Sequence, residues 1–265
     1  MARRRGRGGD RDVARGFAPG RLRRLEYLVV LSLVLFVAAL VAVSIYAGLD
    51  EIAAALSRLS VGLVIGMLGL SLVNYALRAL RWHLYSEHLR LRIPLSMNLL
   101  HFVAGFALTT TPGKVGEALR LWLIERCHGH RYERIVPLFL GDRLADMNAV
   151  MLLCLVGIAG FPDQLWATAV AAAGMLLLSL SLAFPGPLIA AATGIYAAAG
   201  RRGARLFARF RQALRQTSRL FAPRLLAPAM LLSVAGWLAE GFAFHWLLAA
   251  LDAQLSLLQA LFVFT

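Results

Sequence analysis

The stretch from residue 61 to residue 82 reads VGLVIGMLGLSLVNYALRALRW. Its first part, Val61–Leu80, carries a single charge, Arg78, and reaches the roughly 20 apolar residues that a helix needs to cross the hydrocarbon core of a bilayer. Arg81 and Trp82 follow directly, and such residues are typical of the end of a span, where they reach the lipid head groups. The stretch therefore predicts a transmembrane helix with a basic end at the membrane surface.

The composition of the whole chain also indicates a membrane protein. Of the 265 residues, 60% are hydrophobic and the mean hydropathy is +0.70, whereas soluble domains are about 45–50% apolar. Charged residues are clustered between apolar runs instead of being spread along amphipathic helices. We therefore expect an all-α, polytopic transmembrane helical bundle.

The basic residues predict the orientation of the chain. Its formal net charge is +14, and nine arginines precede the first span, so the positive-inside rule places the N-terminus in the cytoplasm and the protein in the cell (inner or plasma) membrane. No nucleic-acid partner is expected, because no stacking aromatics alternate with the basic residues. Residues 1–24 are predicted to be a disordered basic cytoplasmic tail, and residues 25–265 to be one transmembrane domain.

Apolar length predicts the remaining spans. Between the predicted spans Leu165–Phe184 and Leu225–Ala250 lies the segment Arg201–Arg224. Its basic and apolar residues fall largely on opposite helical faces, which predicts a helix lying in the membrane interface. A plain basic loop is the alternative for this segment. Besides Val61–Leu80, the predicted spans are Leu25–Ala47, Ile135–Gly160, Leu165–Phe184 and Leu225–Ala250, with Leu257–Phe264 as the beginning of another.

The segment Ile93–Ile124 has a different pattern. It is apolar overall but is interrupted at Thr109–Lys114, and both of its flanks are basic. A chain that enters and leaves by the same face, with two halves too short to span, is predicted to form a re-entrant broken-helix hairpin. Because non-helical backbone at this depth is tolerated only beside protein or a wet cavity, we expect a polar site there.

The second half of this hairpin is a candidate anion site. Thr111 before Pro112 is typical of an N-cap followed by a first-turn proline, so a helix is expected to begin there and to include Glu117 and Arg120. The N–H groups and dipole of a helix N-terminus favour phosphate, and Lys114 is the single lysine among the 28 Lys plus Arg residues. A purely structural bend is the alternative.

Two carboxylates near the start of the next span form a second candidate. Asp142 and Asp146 are neighbours on one helical face, and paired carboxylates there would suit a divalent ion. In the alternative reading, which we prefer, Arg143 and either Lys114 or Arg120 neutralise them. Both readings predict that the two carboxylates lie near the hairpin.

Further candidates lie in the spans before and after. Glu240 is inside Leu225–Ala250, where an ionisable group is costly and usually faces the interior of the bundle. Arg78 and Arg81 either reach the lipid head groups or belong to the same polar site as the hairpin and the two carboxylates. No catalytic motif such as G-x-S-x-G, H-E-x-x-H or a phosphate-binding loop occurs, so enzymatic activity is not expected.

These residues resemble the motifs of the lysylphosphatidylglycerol synthase transmembrane family, also called the flippase-like domain family. The most specific part is the run from Pro112 to Arg120, which contains Lys114 and Glu117. The likeness covers most of the chain after residue 25. The matching segments are Asn74–Trp82, Thr111–Arg120, Asp142–Asp146 and the span that carries Glu240.

The resemblance implies a domain that binds an anionic or aminoacylated phospholipid, or another lipid-linked head group, and translocates it between leaflets. No cofactor and no metal are expected. The expected partners are membrane phospholipids, with a homo-oligomer or a synthase or glycosyltransferase partner as further possibilities. The expected head-group site combines Lys114, Glu117, Arg120, Arg78, Arg81, Asp142, Arg143, Asp146 and Glu240.

Two other functions stay open at this point. One is a membrane enzyme, or the partner of one, that acts on a lipid phosphate and uses Asp142 and Asp146 as metal ligands. The other is a non-transporting scaffold for a glycosyltransferase or synthase. The sequence lacks the soluble aminoacyl-transferring domain of the full synthases, so their enzymatic activity is not carried over.

The end of the sequence departs from the family pattern. Family members usually continue into a later span with a second Pro/Gly-rich motif, whereas Leu257–Phe264 is far shorter than the roughly 20 residues of a span. We therefore expect the transmembrane domain to be incomplete at its C-terminus. As a fragment, or as one part of a larger assembly, it would bind a lipid anion but not move it alone.

The basic flanks of the hairpin predict its topology. In a variant without Cys127 and Cys154, single cysteines placed beside Arg90 and beside Arg131 should both react with a membrane-impermeant thiol reagent from the cytoplasmic side only. Labelling of the two positions from opposite sides would show that Ile93–Ile124 is an ordinary span.

Overall fold

The computed structural model describes residues 19–108, 115–198 and 204–265. Regular structure within these ranges is helical throughout, which confirms the predicted all-α bundle. The α-helices are α1 (Pro19–Ala47), α2 (Leu49–Ser57), α3 (Val61–His88), α4 (Leu95–Ala104), α5 (Val115–His128), α6 (Tyr132–Gly157), α7 (Leu165–Ala183), α8 (Gly186–Ala198), α9 (Ala204–Arg219), α10 (Pro223–Ala250) and α11 (Leu257–Phe264). Residues 1–18 of the predicted tail lie outside the described residues, and residues 19–24 belong to α1.

Four helical segments are long and apolar enough to cross a membrane, which supports a multi-pass protein. They correspond to α3, to α6 with its 3-10 extension to Gly160, to α7 and to α10. A fifth candidate is the bent pair Leu33–Tyr46 and Leu49–Ser57, whose axes meet at 95°. Gly48 lies at this bend with a φ of 88°, a left-handed conformation that glycine adopts without steric cost.

The helices α3 and α10 form the most extensive helix pair of the described fold. Arg81 contacts Ser233 and Asn74 contacts Glu240, so the two helices run antiparallel. Small side chains permit the close approach of the two backbones: a Cβ atom added at Gly236 would lie 2.9 Å from Oδ1 of Asn74. This pair sets the positions of the polar side chains that both helices carry inside the bundle.

The arms of the predicted hairpin are α4, continued by a 3-10 turn at Gly105–Leu108, and α5. With 10 and 14 residues, α4 and α5 are about 15 and 21 Å long, which is short of the roughly 30 Å of the hydrocarbon core. The arms pack against each other, and the rings of His101 and His128 are 5.2 Å apart. This arrangement agrees with the predicted hairpin, whose tip, residues 109–114, lies outside the described residues.

The basic segment after α8 forms the helix α9, so the plain-loop alternative is wrong. One side of α9 packs against α6 and α7, where Leu214 and Thr217 are buried. Leu206 and Phe210 are exposed in the absence of lipid, which suits a helix at a membrane interface. Arg209 forms an ion pair with Glu133 of α6 at 2.8 Å.

The helix α11 packs into the angle between α6 and α10. Gly157 of α6 faces its backbone directly: an added Cβ would lie 2.7 Å from the nitrogen of Phe262 and 2.9 Å from the oxygen of Leu258. Because these atoms are backbone atoms, α11 would have to move as a unit to make room. Only a residue without a side chain fits at this position.

We therefore expect Gly157→Ala to destabilise the fold by about 1–3 kcal/mol, the usual cost of overpacking. The matched control is Gly174→Ala in α7, where an added Cβ meets nothing within 4 Å. The control should be neutral or stabilising by up to about 1 kcal/mol, because alanine favours a helix. Unfolding of both variants in detergent micelles measures the difference, and equal stabilities would contradict the observed packing of α11.

Candidate functional site

Arg81 on α3 is the centre of a group of ion pairs that joins three membrane helices. Its side chain is 0% exposed, and its guanidinium donates to Oδ1 of Asp142 on α6 at 2.5 and 3.1 Å. Its Nη1 lies 2.8 Å from Oδ1 of Asp146 and also donates to the hydroxyl of Ser233 on α10. An arginine that reaches the lipid head groups would not be buried in this way, so that reading is wrong for Arg81.

Two further arginines and a tryptophan complete the group. Arg78 donates to Oδ2 of Asp146 at 2.8 Å, and Arg143 lies 3.0 Å from Asp142 and 3.2 Å from Asp146. The indole nitrogen of Trp237 on α10 donates to Oδ1 of Asp146 at 3.1 Å. Each of the four carboxylate oxygens thus accepts from at least one donor, and a divalent ion would have to displace a guanidinium group.

These ionic side chains, which we call the ion-pair cluster, carry an excess of positive charge. Counted over these five described side chains alone, the cluster has three guanidinium groups and two carboxylates and so a net charge of +1, in a mostly buried region. Its most exposed member is Arg143, whose side chain is 26% exposed. An excess cation in a region of low dielectric favours a bound anion. The members of the cluster are Arg78, Arg81, Asp142, Arg143 and Asp146.

Arg120 on α5 brings a further positive charge toward this region. It is 5% exposed, and its guanidinium carbon lies 4.0 Å from the ring centre of Phe102, 5.0 Å from that of Phe106 and 5.7 Å from that of Trp82. Aromatic faces stabilise a cation through the ring quadrupole. The missing side chain at Gly105 leaves the space that the Arg120 side chain occupies.

Between the ion-pair cluster and the hairpin lies a cavity of about 510 Å³. One part of its wall is charged and the other is apolar or aromatic, so the cavity is amphiphilic. The charged part consists of Arg78, Arg120, Arg143 and Asp146, and the rest of Tyr75, Gly105, Phe106, Gly116, Met147, Val150 and Trp237. Such a wall suits a ligand with an anionic group next to an apolar part.

The structure brings together most, but not all, of the residues that the sequence predicts for the site. Arg78, Arg120, Arg143 and Asp146 line the cavity, while Arg81 and Asp142 support it from behind. Lys114 lies outside the described residues, as does the predicted helix start at Thr111, so their roles stay predictions. The helix α5 includes Glu117 in its first turn, but its side chain is not among those described.

Glu240 does not line this cavity but lies one helical turn beyond Trp237 on α10. Its Oε1 accepts a hydrogen bond from Nδ2 of Asn74 at 2.9 Å, and its Oε2 accepts one from the hydroxyl of Ser71 at 3.3 Å. Both donors belong to α3. The Glu240 carboxylate is therefore held inside the bundle by neutral partners, next to the ion-pair cluster.

Sequence reasoning missed Trp237 and Ser233 as site residues. Along α10, positions 233, 237 and 240 follow one another at intervals of four and three, so their side chains share one helical face. The same spacing on α3 relates Asn74, Arg78 and Arg81. Polar groups repeating at this interval inside an apolar run were the available signal.

At the base of the hairpin, His128 contributes no charge to the site at neutral pH. Burial lowers the pKa of His128, and the neighbouring His130 lowers it further. The ring of His130 is stacked on that of His128 at 6.4 Å, and its Nε2 lies 2.8 Å from the carbonyl oxygen of Leu91. Among the described residues, the positive charges that line the cavity therefore belong to arginines.

The fold and the site together define a polytopic helical membrane protein with a buried ion-pair cluster beside an amphiphilic cavity. Residues 29–265 match the family model described as the lysylphosphatidylglycerol synthase TM region. The chain therefore belongs to this family, as the motif resemblance predicted. No curated protein and no solved structure matches the chain.

The burial of Arg81 predicts that the ion-pair cluster holds the bundle together. Arg81→Met keeps much of the volume but leaves Asp142 without its main partner, and breaking a buried pair in this way costs about 3–5 kcal/mol. The control Arg58→Met removes the exposed pair with Asp252, whose side chains are 50% and 82% exposed, and should cost about 0–1 kcal/mol. Unfolding in detergent compares the two, and similar losses for both variants would contradict a central role for Arg81.

Proposed function

We propose that this chain binds the phosphate group of an anionic phospholipid in the amphiphilic cavity and translocates the lipid between the leaflets. The observation that carries the proposal is the net positive charge of the ion-pair cluster on one wall of a cavity whose remaining wall is apolar. A phosphate would compensate the charge, and the aromatic and aliphatic side chains would cover the glycerol and the first part of the acyl chains.

The positions of the arginines suit this ligand. Arg78 and Arg143 line the cavity while their guanidinium groups are oriented by Asp146, so their planar donors are already ordered before a phosphate arrives. Arg120 faces the same cavity from the hairpin. Donors from the hairpin and from the long spans would then approach the phosphate from different sides.

The rest of the proposal concerns the setting of the site. We place the protein in the cell membrane with a cytoplasmic N-terminus, because the basic residues precede and flank the spans as the positive-inside rule requires. Its partners are membrane phospholipids, and its task is transport and not catalysis. The metal-dependent enzyme is the weaker alternative, because guanidinium or indole groups occupy all four oxygens of Asp142 and Asp146.

The test compares Arg143→Ala with Arg209→Ala. Both variants lose one positive charge, but Arg209 lies on α9, away from the cavity, and is 64% exposed. Binding of a short-chain phosphatidylglycerol to the purified protein should weaken about tenfold to a hundredfold in Arg143→Ala, since a charge-assisted hydrogen bond contributes about 1.5–3 kcal/mol. Binding to Arg209→Ala should equal that of the unmodified chain.

Equal binding by both variants would show that the phosphate does not bind in the amphiphilic cavity. Translocation is measured separately, in vesicles that contain a fluorescent phospholipid and receive an external quencher. Protein-dependent movement of the label, weakened in Arg143→Ala, is the expected result. Binding without any movement, in this chain and in one extended through the later family motif, would favour the scaffold instead.

A further inference from the structure

A second cavity, of about 680 Å³, lies at the end of the bundle where α3 ends and α6 begins. Its wall is formed by the last turn of α3 and the residue that follows the C-cap, the first turn of α6 and the last turn of α9. Among the described lining residues only one, a leucine, is apolar, so this cavity lacks the apolar wall of the amphiphilic cavity. We call it the basic cavity, and it is lined by Glu87, His88, Leu89, Arg90, Arg134, Gln216 and Arg219.

The basic cavity carries an excess of positive charge. Arg90, Arg134 and Arg219 reach it from three separate elements of the fold. Leaving His88 aside, the described lining residues carry three positive charges and the negative charge of Glu87, which gives a formal charge of +2. In the described part of the chain, no carboxylate lies within ion-pair distance of these three guanidinium groups. A concave wall with uncompensated charge of one sign attracts ions of the opposite sign.

The backbone at Arg90 shows that its side chain is not needed for the turn. The N–H of Arg90 donates to the carbonyl oxygen of Glu87 at 2.8 Å. The N–H of Leu91 donates to that of Ser86 at 3.0 Å, which completes the Schellman motif that ends α3. Arg90 has a φ of 55°, a left-handed conformation in which glycine is usual. Because glycine would form this turn at less cost, what an arginine adds here is a side chain that lines the cavity.

The basic cavity is separate from the amphiphilic cavity, although α3 and α6 line both. On α3, nine residues separate Arg78 of the amphiphilic cavity from Glu87 of the basic cavity. On α6, nine residues likewise separate Arg143 from Arg134, so the two levels are about 14 Å apart along either axis. Tyr85 is buried in the hydrophobic core between them. Since about 8 Å is the screening length at physiological salt, an anion in one cavity has little effect on the other.

The arrangement of the donors suits a phosphate group. Guanidinium groups that approach from three elements can each donate to a different oxygen of a tetrahedral phosphate, whereas a carboxylate has only two oxygens in one plane. Gln216 adds an amide that can donate as well. The wall offers no apolar surface for acyl chains. The cavity also lies at the ends of two candidate membrane spans, where lipid head groups and water-soluble compounds both have access.

We infer that the basic cavity is a second anion site, which binds a phosphate group at the membrane surface through Arg90, Arg134 and Arg219. The phosphate belongs to a lipid head group whose acyl chains stay in the bilayer, or to a water-soluble phosphate compound. Both sources present the same oxygens to the three guanidinium groups. The site does not depend on the lipid transport proposed above, because it shares no lining residue with the amphiphilic cavity.

The test compares Arg90→Gly with Arg92→Gly. Arg92 is also exposed and left-handed, with a φ of 52°, but does not line the basic cavity. Inorganic phosphate is titrated calorimetrically into the purified chain in an uncharged detergent. Its affinity should fall about tenfold or more in Arg90→Gly, because a charge-assisted hydrogen bond is lost, and should stay unchanged in Arg92→Gly. Both variants should unfold at the same or a higher temperature than the unmodified chain, since glycine favours this conformation.

A second pair of variants, on α9, repeats the comparison without a change of backbone preference. Arg219→Gln should lose affinity for inorganic phosphate, whereas Arg215→Gln should not, because Arg215 is exposed one turn earlier and does not line the basic cavity. Arg143→Ala alters the amphiphilic cavity and should keep this binding step. Loss of the step in Arg143→Ala but not in Arg219→Gln would place the phosphate in the amphiphilic cavity and overturn the inference.

The source of the phosphate is identified by titrating short-chain phosphatidylglycerol into the same proteins. A higher affinity for this lipid than for inorganic phosphate, weakened in Arg90→Gly, would identify a lipid head group as the ligand. An equal or higher affinity for inorganic phosphate would identify a water-soluble ligand. If neither probe distinguishes Arg90→Gly from Arg92→Gly, the basic cavity binds no phosphate and the inference is wrong.

Discussion

The fold depends on the burial of one guanidinium group. Arg81 is fully enclosed among α3, α6 and α10, and a charge in such a place is tolerated only when its partners are fixed around it. Asp142, Asp146 and Ser233 supply these partners from two other helices. Because the geometry must be met by three helices at once, the ion pairs specify how these spans are rotated and how far each is shifted along its axis.

The same ion pairs prepare the chemistry of the neighbouring cavity. Asp146 accepts from Arg78, Arg81, Arg143 and Trp237, so it orders the donors on the cavity wall without cancelling all of their charge. Structural stability and the proposed anion affinity would therefore come from one set of side chains. Arg120 lies in addition against the faces of Phe102, Phe106 and Trp82, which stabilise a cation.

Two kinds of carboxylate lie beside the helix pair α3 and α10, and their partners differ. Asp142 and Asp146 of α6 face guanidinium groups and act as their counter-ions. Glu240 of α10 accepts hydrogen bonds from an amide and a hydroxyl of α3, which carry no charge.

The sequence alone determined the helical class, the spans, the hairpin arms and the family, because span length, hydropathy and the Pro-Gly-Lys motif are local properties of the chain. It also selected Asp142, Asp146 and Glu240, since charges inside apolar runs are conspicuous. Only the tertiary structure decided which groups they meet. Arg81 looked like a head-group anchor at the end of a span, and Trp237 looked like ordinary apolar sequence, because pairing across helices depends on the rotation and axial shift of each helix, and those are set by packing between segments far apart in the chain.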